Sequence, residues 1–179
     1  AAFYGPKLDF MAKDSLGREW QVATNQLDMS MPESFGLVCT NEKGEKEPVV
    51  MIHAAIMGSI ERYMSILIEH FAGKFPVWLA PVQVKILPIS DKYMEYAQKV
   101  EAQLVKAGVR TELDDRAERL QAKIRDAQME KVPYMLVVGE KEMGGGTVAV
   151  RQRDTREQEV VKVEDFVNKV VEESDKKKL

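Results

Sequence analysis

Hydrophobic and polar positions alternate in the early part of the chain, which is the pattern of strands with one covered face. The segments Lys7 to Lys13 and Arg18 to Gln26 both show this alternation and are predicted to be antiparallel neighbours. A third extended piece is predicted from Glu33 to Cys39. The charged stretch 41–47 is typical of a hairpin loop, and it leads to Pro48 to Ile52. The sequence therefore predicts an antiparallel sheet in its first half.

From Ile56 to His70, apolar residues recur at three- and four-residue spacing, which predicts an amphipathic helix. Gly58 and Ser59 leave little side-chain bulk near its start, and Arg62 adds a permanent planar cation one turn further on. Such a corner suits a phosphate or a nucleotide base. The alternative is an ordinary core-facing helix in which Glu61 and Arg62 form an exposed pair worth roughly a few tenths of a kcal/mol.

After this helix, Gly73, Pro76 and Pro81 interrupt regular structure and place a domain boundary near Ala80, between residues 1–80 and 81–179. Strands and helices then alternate, which predicts a sheet flanked by about three helices. The predicted strands are 83–89, 110–113, 134–139 and 147–151, and the predicted helices are 91–107, 119–130 and 163–173. The glycine run 144–146 is expected to form a mobile hairpin turn. The predicted fold class is α/β, or α+β.

Composition narrows the class of protein. With 179 residues, 45% of them hydrophobic, and a formal net charge of −3, the chain is expected to be globular, and any contact with RNA must be local. Cys39 is the one cysteine, which excludes an intrachain disulfide and is typical of an intracellular, cytoplasmic protein. No apolar run reaches the roughly 20 residues that span a bilayer.

Several motifs resemble one family of enzymes. The letters Gly58-Ser-Ile-Glu-Arg62 resemble the third signature motif of class II aminoacyl-tRNA synthetases, in which the arginine lies along bound ATP. The stretches that resemble threonyl-tRNA synthetase in the first half are Phe3 to Phe10, Arg18 to Gln21, Thr24 to Asp28 and Trp78 to Gln83. Those that resemble its C-terminal anticodon-binding domain are Lys123 to Gln128, Val132 to Glu142 and Val148 to Arg151. Ordered matches from both halves are far stronger than any one motif.

The resemblance implies that residues 1–80 are the end of an antiparallel-sheet catalytic domain and that residues 81–179 are a mixed-sheet anticodon-binding domain. Lys7 would face the aminoacyl phosphate as a compact ammonium, and Arg62 would stabilise charge on ATP, so these two are the implied catalytic residues. ATP would act as a substrate together with Mg²⁺. The implied ATP- and substrate-binding residues are Tyr4, Gln21, Gln26, Ser59 and Arg62.

His53 is the implied metal ligand. In the family, a histidine at this place binds a Zn²⁺ ion that recognises the threonine hydroxyl, together with a cysteine and a second histidine. Cys39 and His70 do not match those positions. The zinc site is therefore expected of the complete enzyme rather than of this chain alone.

Glu142 and Arg151 are the implied anticodon-binding residues, because carboxylate and guanidinium groups can read the exposed edges of loop bases. A hairpin around the glycine run would bring both to one edge of the sheet. The alternative is a surface salt bridge of little energetic value. Lys123, Arg125 and Lys131 would add phosphate contacts.

Three positions depart from the family pattern. Ala54 stands where arginine is usual, Val22 where cysteine is common, and Ala117 where a polar anticodon-reading residue often sits. The first two class II motifs are also missing. We therefore expect the chain to be a C-terminal portion of the enzyme that, alone, forms no threonyl adenylate at a useful rate.

The leading hypothesis is part of a threonine–tRNA ligase that uses threonine, ATP and tRNA(Thr) as a homodimer, without membrane or DNA partners. The alternatives are a non-catalytic tRNA-binding or regulatory synthetase-like protein and a protein-interaction subunit. The sequence alone leaves all three open.

Overall fold

The computed structural model describes residues 2–155 and 157–178. These residues form two compact units that divide between Leu67 and Ile68. This division by packing falls inside a helix, whereas the domain boundary near Ala80 stays a prediction from the sequence. Among the described residues, every helix is too short or too polar to span a lipid bilayer.

The first unit is built on a three-stranded antiparallel sheet, in which a long central strand pairs with one strand on each side. A short helix and a two-stranded hairpin connect the second and third strands of this sheet, and a longer helix follows. The elements are β1 (Lys7–Lys13), β2 (Glu19–Asp28), α1 (Ser30–Ser34), β3 (Val38–Thr40), β4 (Lys46–Pro48), β5 (Met51–Ile56) and α2 (Ile60–Phe71), and the sheet order is β1-β2-β5.

Helix α1 overlaps the start of the third extended piece, so this part of the sequence prediction is wrong. The carboxylate of Asp28 accepts the backbone N–H groups of Ser30 and Met31, both at 2.9 Å. These bonds satisfy donors that the first helical turn leaves without partners, and they favour a helix at this point. The end of the predicted piece, Val38–Thr40, is a strand.

Helix α2 begins at Ile60, later than the apolar periodicity indicates. Met57 and Gly58 adopt left-handed backbone conformations, with φ of 69° and 67°, which a right-handed helix does not accommodate. The hydroxyl of Ser59 accepts the backbone N–H of Arg62 at 3.2 Å and caps the first turn. The Gly-Ser corner is therefore a turn in front of the helix.

A β-bulge in β2 changes which side chains share a face. The register between β1 and β2 shifts after Phe10, which pairs with Ala23, and leaves Val22 as an extra residue. In a regular strand, Gln21 and Thr24 would point to opposite faces, because they are an odd number of residues apart. The bulge reverses the alternation, so that both project to the same face.

The second unit is a five-stranded mixed sheet with helices on both faces. The three strands at one end of this sheet run parallel, and the last two strands are antiparallel additions. The elements are β6 (Val84–Pro88), a 3₁₀ turn (Asp91–Tyr93), α3 (Met94–Lys106), β7 (Thr111–Leu113), α4 (Leu120–Met129), β8 (Tyr134–Val138), α5 (Glu140–Gly145), β9 (Thr147–Gln152), β10 (Gln158–Lys162) and α6 (Val163–Asp175), and the sheet order is β10-β9-β8-β6-β7. The predicted fold class is confirmed.

Two core clusters hold this sheet between its helices. On one face, α3 and α6 pack through residues such as Leu104 and Phe166. On the other face, α4 packs through Ile124 against Met135. Full burial of a large apolar side chain such as Phe166 stabilises the fold by about 1.5–3 kcal/mol. The second unit thus has a core of its own.

Helix α5 stands where the glycine run predicts a hairpin turn, and β10 has no counterpart in the sequence prediction. The described part of the second unit has four α-helices instead of about three. The carboxylate of Glu142 accepts the N–H of Gly139 at 3.0 Å, which supports the first turn. Gly146, at φ 63°, ends the helix in a left-handed conformation.

Candidate functional site

Asp9 is the centre of a hydrogen-bonded group on one face of the first sheet. Its carboxylate oxygens lie 2.6 Å from Lys7 Nζ, 3.0 Å from Gln21 Nε2 and 2.8 Å from Thr24 Oγ1. The bulge in β2 makes this possible, because it turns Gln21 and Thr24 to the same side. The sequence prediction contains Lys7 and Gln21 but misses Asp9. Its place two residues after Lys7 on an alternating strand is the signal that could have found it.

Lys7 and Asp9 keep each other charged. The hydrogen bond from Lys7 lowers the pKa of Asp9, and the hydrogen bond to Asp9 raises the pKa of Lys7. Both side chains reach solvent, with 39% of Lys7 and 26% of Asp9 exposed. A phosphate that enters from solvent can therefore meet an ammonium that Asp9 already orients.

Tyr4 and Gln26 extend this group with neutral hydrogen-bonding atoms. The Tyr4 hydroxyl donates to Gln26 Oε1 at 2.6 Å, and Gln26 Nε2 donates to Thr24 Oγ1 at 3.4 Å. In the sheet register, Gln26 lies opposite Lys7 on one side and opposite His53 on the other. Directly opposed residues project to the same face. The polar residues predicted from β1, β2 and β5 therefore share one face.

His53 pairs with a buried carboxylate. Its Nε2 lies 2.9 Å from Oδ2 of Asp28, whose pKa is lowered first by the N–H of Met31 and further by His53. Within residues 2–155 and 157–178, no group of three or more His, Cys, Asp or Glu side chains could hold a metal ion. Because a structural or catalytic zinc site needs at least three protein ligands, the residues present do not fit Zn²⁺.

Arg62 meets the same sheet from the first turn of α2. Its Nη1 donates to the backbone oxygen of Gln21 at 3.5 Å. Gly58 permits this approach, because a Cβ at that position would lie 2.8 Å from the same oxygen. The Arg62 side chain is otherwise exposed, which suits a planar guanidinium that binds an anion or stacks on a base.

Glu142 and Arg151 lie on separate elements of the second unit. Glu142 belongs to α5, whereas Arg151 lies in β9, opposite Met135 of β8 and Gln158 of β10. At about 3.3 Å per residue, Arg151 is about 13 Å along β9 from Thr147, where the strand begins. The predicted hairpin edge is therefore wrong, while base recognition by both residues stays a prediction.

Arg151 has a donor without a partner. Its Nε is buried and makes no hydrogen bond within the part of the chain that the structure describes. Such a donor costs roughly 1–3 kcal/mol until an acceptor reaches it. Gln158, on the edge strand β10, is exposed and projects to the same face. Together they offer guanidinium and amide groups of the kind that bind base edges, and the sequence prediction misses Gln158.

The basic residues that the sequence suggests as phosphate contacts differ in exposure. Lys123 is buried, and its ammonium donates to the backbone oxygens of Pro88 at 3.4 Å and Asp114 at 2.9 Å. Its predicted phosphate contact is therefore wrong, because the ammonium joins the end of β6 to the residue that follows β7. Arg125 is exposed over 70% of its side chain. Lys131 donates to a main-chain carbonyl of the segment that follows α2.

The three departures from the family pattern take different places in the fold. Ala54 follows His53 in β5, so its side chain projects to the opposite face of the sheet. Val22 is the bulge residue of β2, and Ala117 is exposed after β7. A larger side chain at position 54 would not enter the polar face within this sheet.

Two family models match the chain one after the other. The tRNA synthetase class II core domain (G, H, P, S and T) matches residues 1–71, and the anticodon binding domain matches residues 83–173. The antiparallel sheet with its motif-three corner and the mixed sheet that follows agree with this order. The fold and the matches define part of a class II aminoacyl-tRNA synthetase, with core-domain sequence followed by an anticodon-binding domain.

Comparison with individual relatives indicates which kind of aminoacyl-tRNA synthetase the chain resembles. The chain is 57% identical to the threonine–tRNA ligase of Clostridioides difficile (strain 630) over 172 residues, which are 96% of this chain and 27% of that protein. It is 58% identical to a threonine–tRNA ligase of Thermus thermophilus over 153 residues, 86% of this chain and 23% of that protein.

A solved structure gives the same result. The crystal structure of the RNA binding domain of threonyl-tRNA synthetase from Cryptosporidium parvum Iowa II matches with a TM-score of 0.81 and 40% identity. The match covers 96% of this chain and 44% of that one. The chain belongs to the threonyl-tRNA synthetase family, and it spans about a quarter of the curated relatives' length, 27% in the first case. The predicted resemblance is confirmed.

Proposed function

We propose that this chain is part of a threonine–tRNA ligase, in which residues 1–80 contribute to threonine activation and residues 81–179 bind the anticodon of tRNA(Thr). The observation that carries the proposal is the shared polar face of the first sheet. Lys7, Gln21, Gln26 and His53 project from it, and Arg62 contacts its margin. The order of the two family matches supports the same assignment.

On this proposal, Lys7 and Arg62 stabilise negative charge during adenylate formation. An oxygen of the threonine carboxylate forms a bond to the α-phosphorus of ATP, and the bond from that phosphorus to pyrophosphate breaks. Two fixed cations near the phosphate lower the energy of the charged transition state. Mg²⁺, if bound with ATP as in the family, would neutralise phosphate charge.

Tyr4, Gln21, Gln26 and Ser59 supply neutral polar atoms for threonine and the adenylate. The hydrogen bonds to Asp9 and between Tyr4 and Gln26 fix several of these side chains before a ligand arrives. Fixed rotamers lower the entropy cost of binding. Specific recognition therefore rests on a face whose geometry exists without substrate.

In the second unit, Arg151 and Glu142 are proposed to bind anticodon bases. The unpartnered Nε of Arg151 supports this role, since a base acceptor would satisfy it. A homodimer, a cytoplasmic location and Zn²⁺ bound through His53 in the complete enzyme belong to the same proposal and rest on the family resemblance.

A chimeric enzyme tests the catalytic part. This chain replaces the matching 172 residues of the Clostridioides difficile relative, and threonine-dependent ATP–pyrophosphate exchange is measured. We expect exchange in the chimera and a loss of about a hundredfold or more in Lys7→Met and Arg62→Met. Lys13→Met, also on β1, is the matched control. Equal exchange in the control and both variants would contradict the assignment.

The isolated chain tests the RNA part. Fluorescence anisotropy compares a stem–loop RNA that carries the threonine anticodon with the same stem–loop carrying changed bases. We expect tighter binding of the first RNA and a loss of roughly 1–3 kcal/mol of discrimination in Arg151→Ala. Binding that ignores the loop sequence would contradict anticodon recognition.

A further inference from the structure

Lys123 is a buried ammonium at one edge of the second sheet, and only 4% of its side chain is exposed. Its Nζ donates to the backbone oxygens of Pro88, the last residue of β6, at 3.4 Å and of Asp114, which follows β7, at 2.9 Å. Lys123 itself belongs to α4, and β6 and β7 are parallel neighbours. One side chain thus ties a helix to the ends of two parallel strands.

Burial of this charge is costly, so its partners must offset the loss of water. The Asp114 side chain is 1% exposed, and its Oδ1 lies 3.9 Å from Lys123 Nζ. Arg116 holds the same carboxylate through Nε at 3.0 Å and Nη2 at 2.6 Å. An apolar side chain at position 123 would avoid the cost of burial but would leave both carbonyls without this donor. What the ammonium adds is a fixed position for both strand ends.

The end of β6 supports the start of α5. Ile89, directly after Pro88, donates its N–H to the backbone oxygen of Val138 at 3.0 Å. Its side chain leaves no room for a Cβ on Gly139, because that atom would lie 2.6 Å from Ile89 Cδ1. Gly139 is the residue that follows β8 and precedes α5. The backbone after β6 and the backbone after β8 are therefore in direct contact.

Gly139 in turn determines where the Glu142 side chain lies. The N–H of Gly139 donates to Glu142 Oε2 at 3.0 Å, and its backbone oxygen accepts the N–H of Met143 at 3.0 Å. A carboxylate that accepts a bond from the residue before a helix is held in one direction. Its two oxygens can accept further bonds, so a base amino group can also be bound. The contacts that begin at Lys123 thus end at a residue of the proposed anticodon site.

We propose that Lys123 is a positioning residue for anticodon recognition, because it fixes the strand end that supports Glu142. The connection runs through Ile89 and Gly139, and all of these residues belong to the second unit. This inference rests on the proposed function and adds a residue that contacts no RNA itself. Phosphate contacts attract any RNA, whereas base contacts select the sequence. Loss of Lys123 should therefore lower discrimination between anticodons more than it lowers general attraction to RNA.

The test uses the purified chain with Lys123→Met, which keeps an unbranched side chain and removes the ammonium. Lys106→Met, at an exposed position at the end of α3, is the matched control. Fluorescence anisotropy gives the Kd for the stem–loop with changed anticodon bases divided by the Kd for the stem–loop with the threonine anticodon. We expect this ratio to fall about fivefold or more in Lys123→Met and to stay within about twofold of the parent in Lys106→Met.

A double-mutant cycle distinguishes positioning from a general structural role. Glu142→Gln keeps an acceptor for the N–H of Gly139 and removes the negative charge. We expect it to lower the ratio about fivefold or more in the parent but less than about twofold in Lys123→Met, because the carboxylate is no longer held in place there. A merely structural role would lower the melting temperature and leave the effect of Glu142→Gln unchanged. Equal effects in both backgrounds, or an unchanged ratio in Lys123→Met, would overturn the proposal.

Amide hydrogen exchange provides a readout without RNA. We expect faster exchange at the amides of Ile89 and Gly139 in Lys123→Met and no change in Lys106→Met. Exchange at these two amides that matches the parent would contradict the connection to Glu142. If Lys123→Met does not fold, Lys123→Gln, whose shorter side chain retains two N–H donors, decides by the same ratio and the same cycle. A parent chain that binds both stem–loops equally would instead refute the proposed anticodon recognition.

Discussion

At the scale of single residues, Asp9 determines how the polar face of the first sheet is arranged. One carboxylate accepts bonds from an ammonium, an amide and a hydroxyl, so that Lys7, Gln21 and Thr24 each have one preferred direction. Removing the negative charge leaves these donors without their common acceptor. The side chains that would contact substrate are therefore positioned by one that need not contact it.

Asp9→Asn tests this arrangement in the chimeric synthetase. The amide keeps the shape of the side chain but cannot accept three donors at two charged oxygens. We expect threonine-dependent pyrophosphate exchange to fall about tenfold or more, because each 1.36 kcal/mol on the barrier is tenfold in rate. Asp115→Asn, in an exposed loop of the other unit, is the control. Equal rates in both variants would show that Asp9 does not position the site.

A second residue, Asp14, is expected to make the stability of the fold depend on pH. Its carboxylate accepts Trp20 Nε1 and, among others, Arg18 Nε, and the Trp20 bond is the main cause that lowers its pKa from 3.8 to about 2. A lowered carboxylate pKa stabilises the fold above its unfolded value, and this contribution is lost as the pH falls. The relevant window is therefore from 3.8 to about 2.

We expect the carboxyl carbon of Asp14 to titrate with a midpoint near 2 by ¹³C NMR. The difference in unfolding free energy between the parent and Asp14→Asn should shrink across the same window, because protonation removes what the substitution removes. Trp20 fluorescence in a Trp78→Phe background follows the contact directly. A midpoint near the ordinary value of 3.8 would contradict the assignment.

At the scale of elements, the sequence predicts the strands well where the alternation is regular and fails where local geometry interrupts it. Gln21 and Gln26 would face opposite sides of a regular strand, so their shared face depends on the bulge at Val22, which no periodicity reveals. The sequence prediction missed helix α5 because the three glycines 144–146 disfavour a helix. The bond from Gly139 N–H to the Glu142 carboxylate, which stabilises the first turn, is not visible in the residue pattern. The resemblance to the family identified the candidate site residues, whereas the hydrophobic pattern alone did not.

Gly58→Ala tests the turn before α2. The substitution places a Cβ 2.8 Å from Gln21 O at a φ of 67°, so it meets both a backbone penalty and a clash. Gly44→Ala, at φ 81° with no atom within 4 Å, isolates the backbone penalty, which we expect to be about 1–2 kcal/mol. Gly58→Ala should lose about 1–3 kcal/mol more in denaturant unfolding of the first unit. Equal losses would mean that the corner can relax.

At the scale of the whole molecule, the first sheet has one polar face and one apolar face, and the apolar face is the one expected to drive association. The apolar side chains Leu8, Phe10, Ile52 and Ile56 project opposite the Asp9 group and are 58%, 44%, 65% and 80% exposed. Exposed apolar surface of this kind favours association. The curated relatives are much longer than this chain, which spans 27% of the first of them. This face, which is exposed in this chain, is therefore expected to favour its association in solution.

We expect the isolated chain to associate through this face in a concentration-dependent way. Ile52→Thr with Ile56→Thr keeps β-branched residues in β5 and replaces two apolar surfaces by polar ones, so the strand persists while the hydrophobic attraction weakens. Sedimentation velocity at rising concentrations should show larger species for the parent and mainly monomer for the double variant. Val160→Thr, 59% exposed on β10, is the matched control and should behave as the parent. Association that survives the double substitution would place the contact elsewhere, because only an interface built on β5 responds to these two side chains.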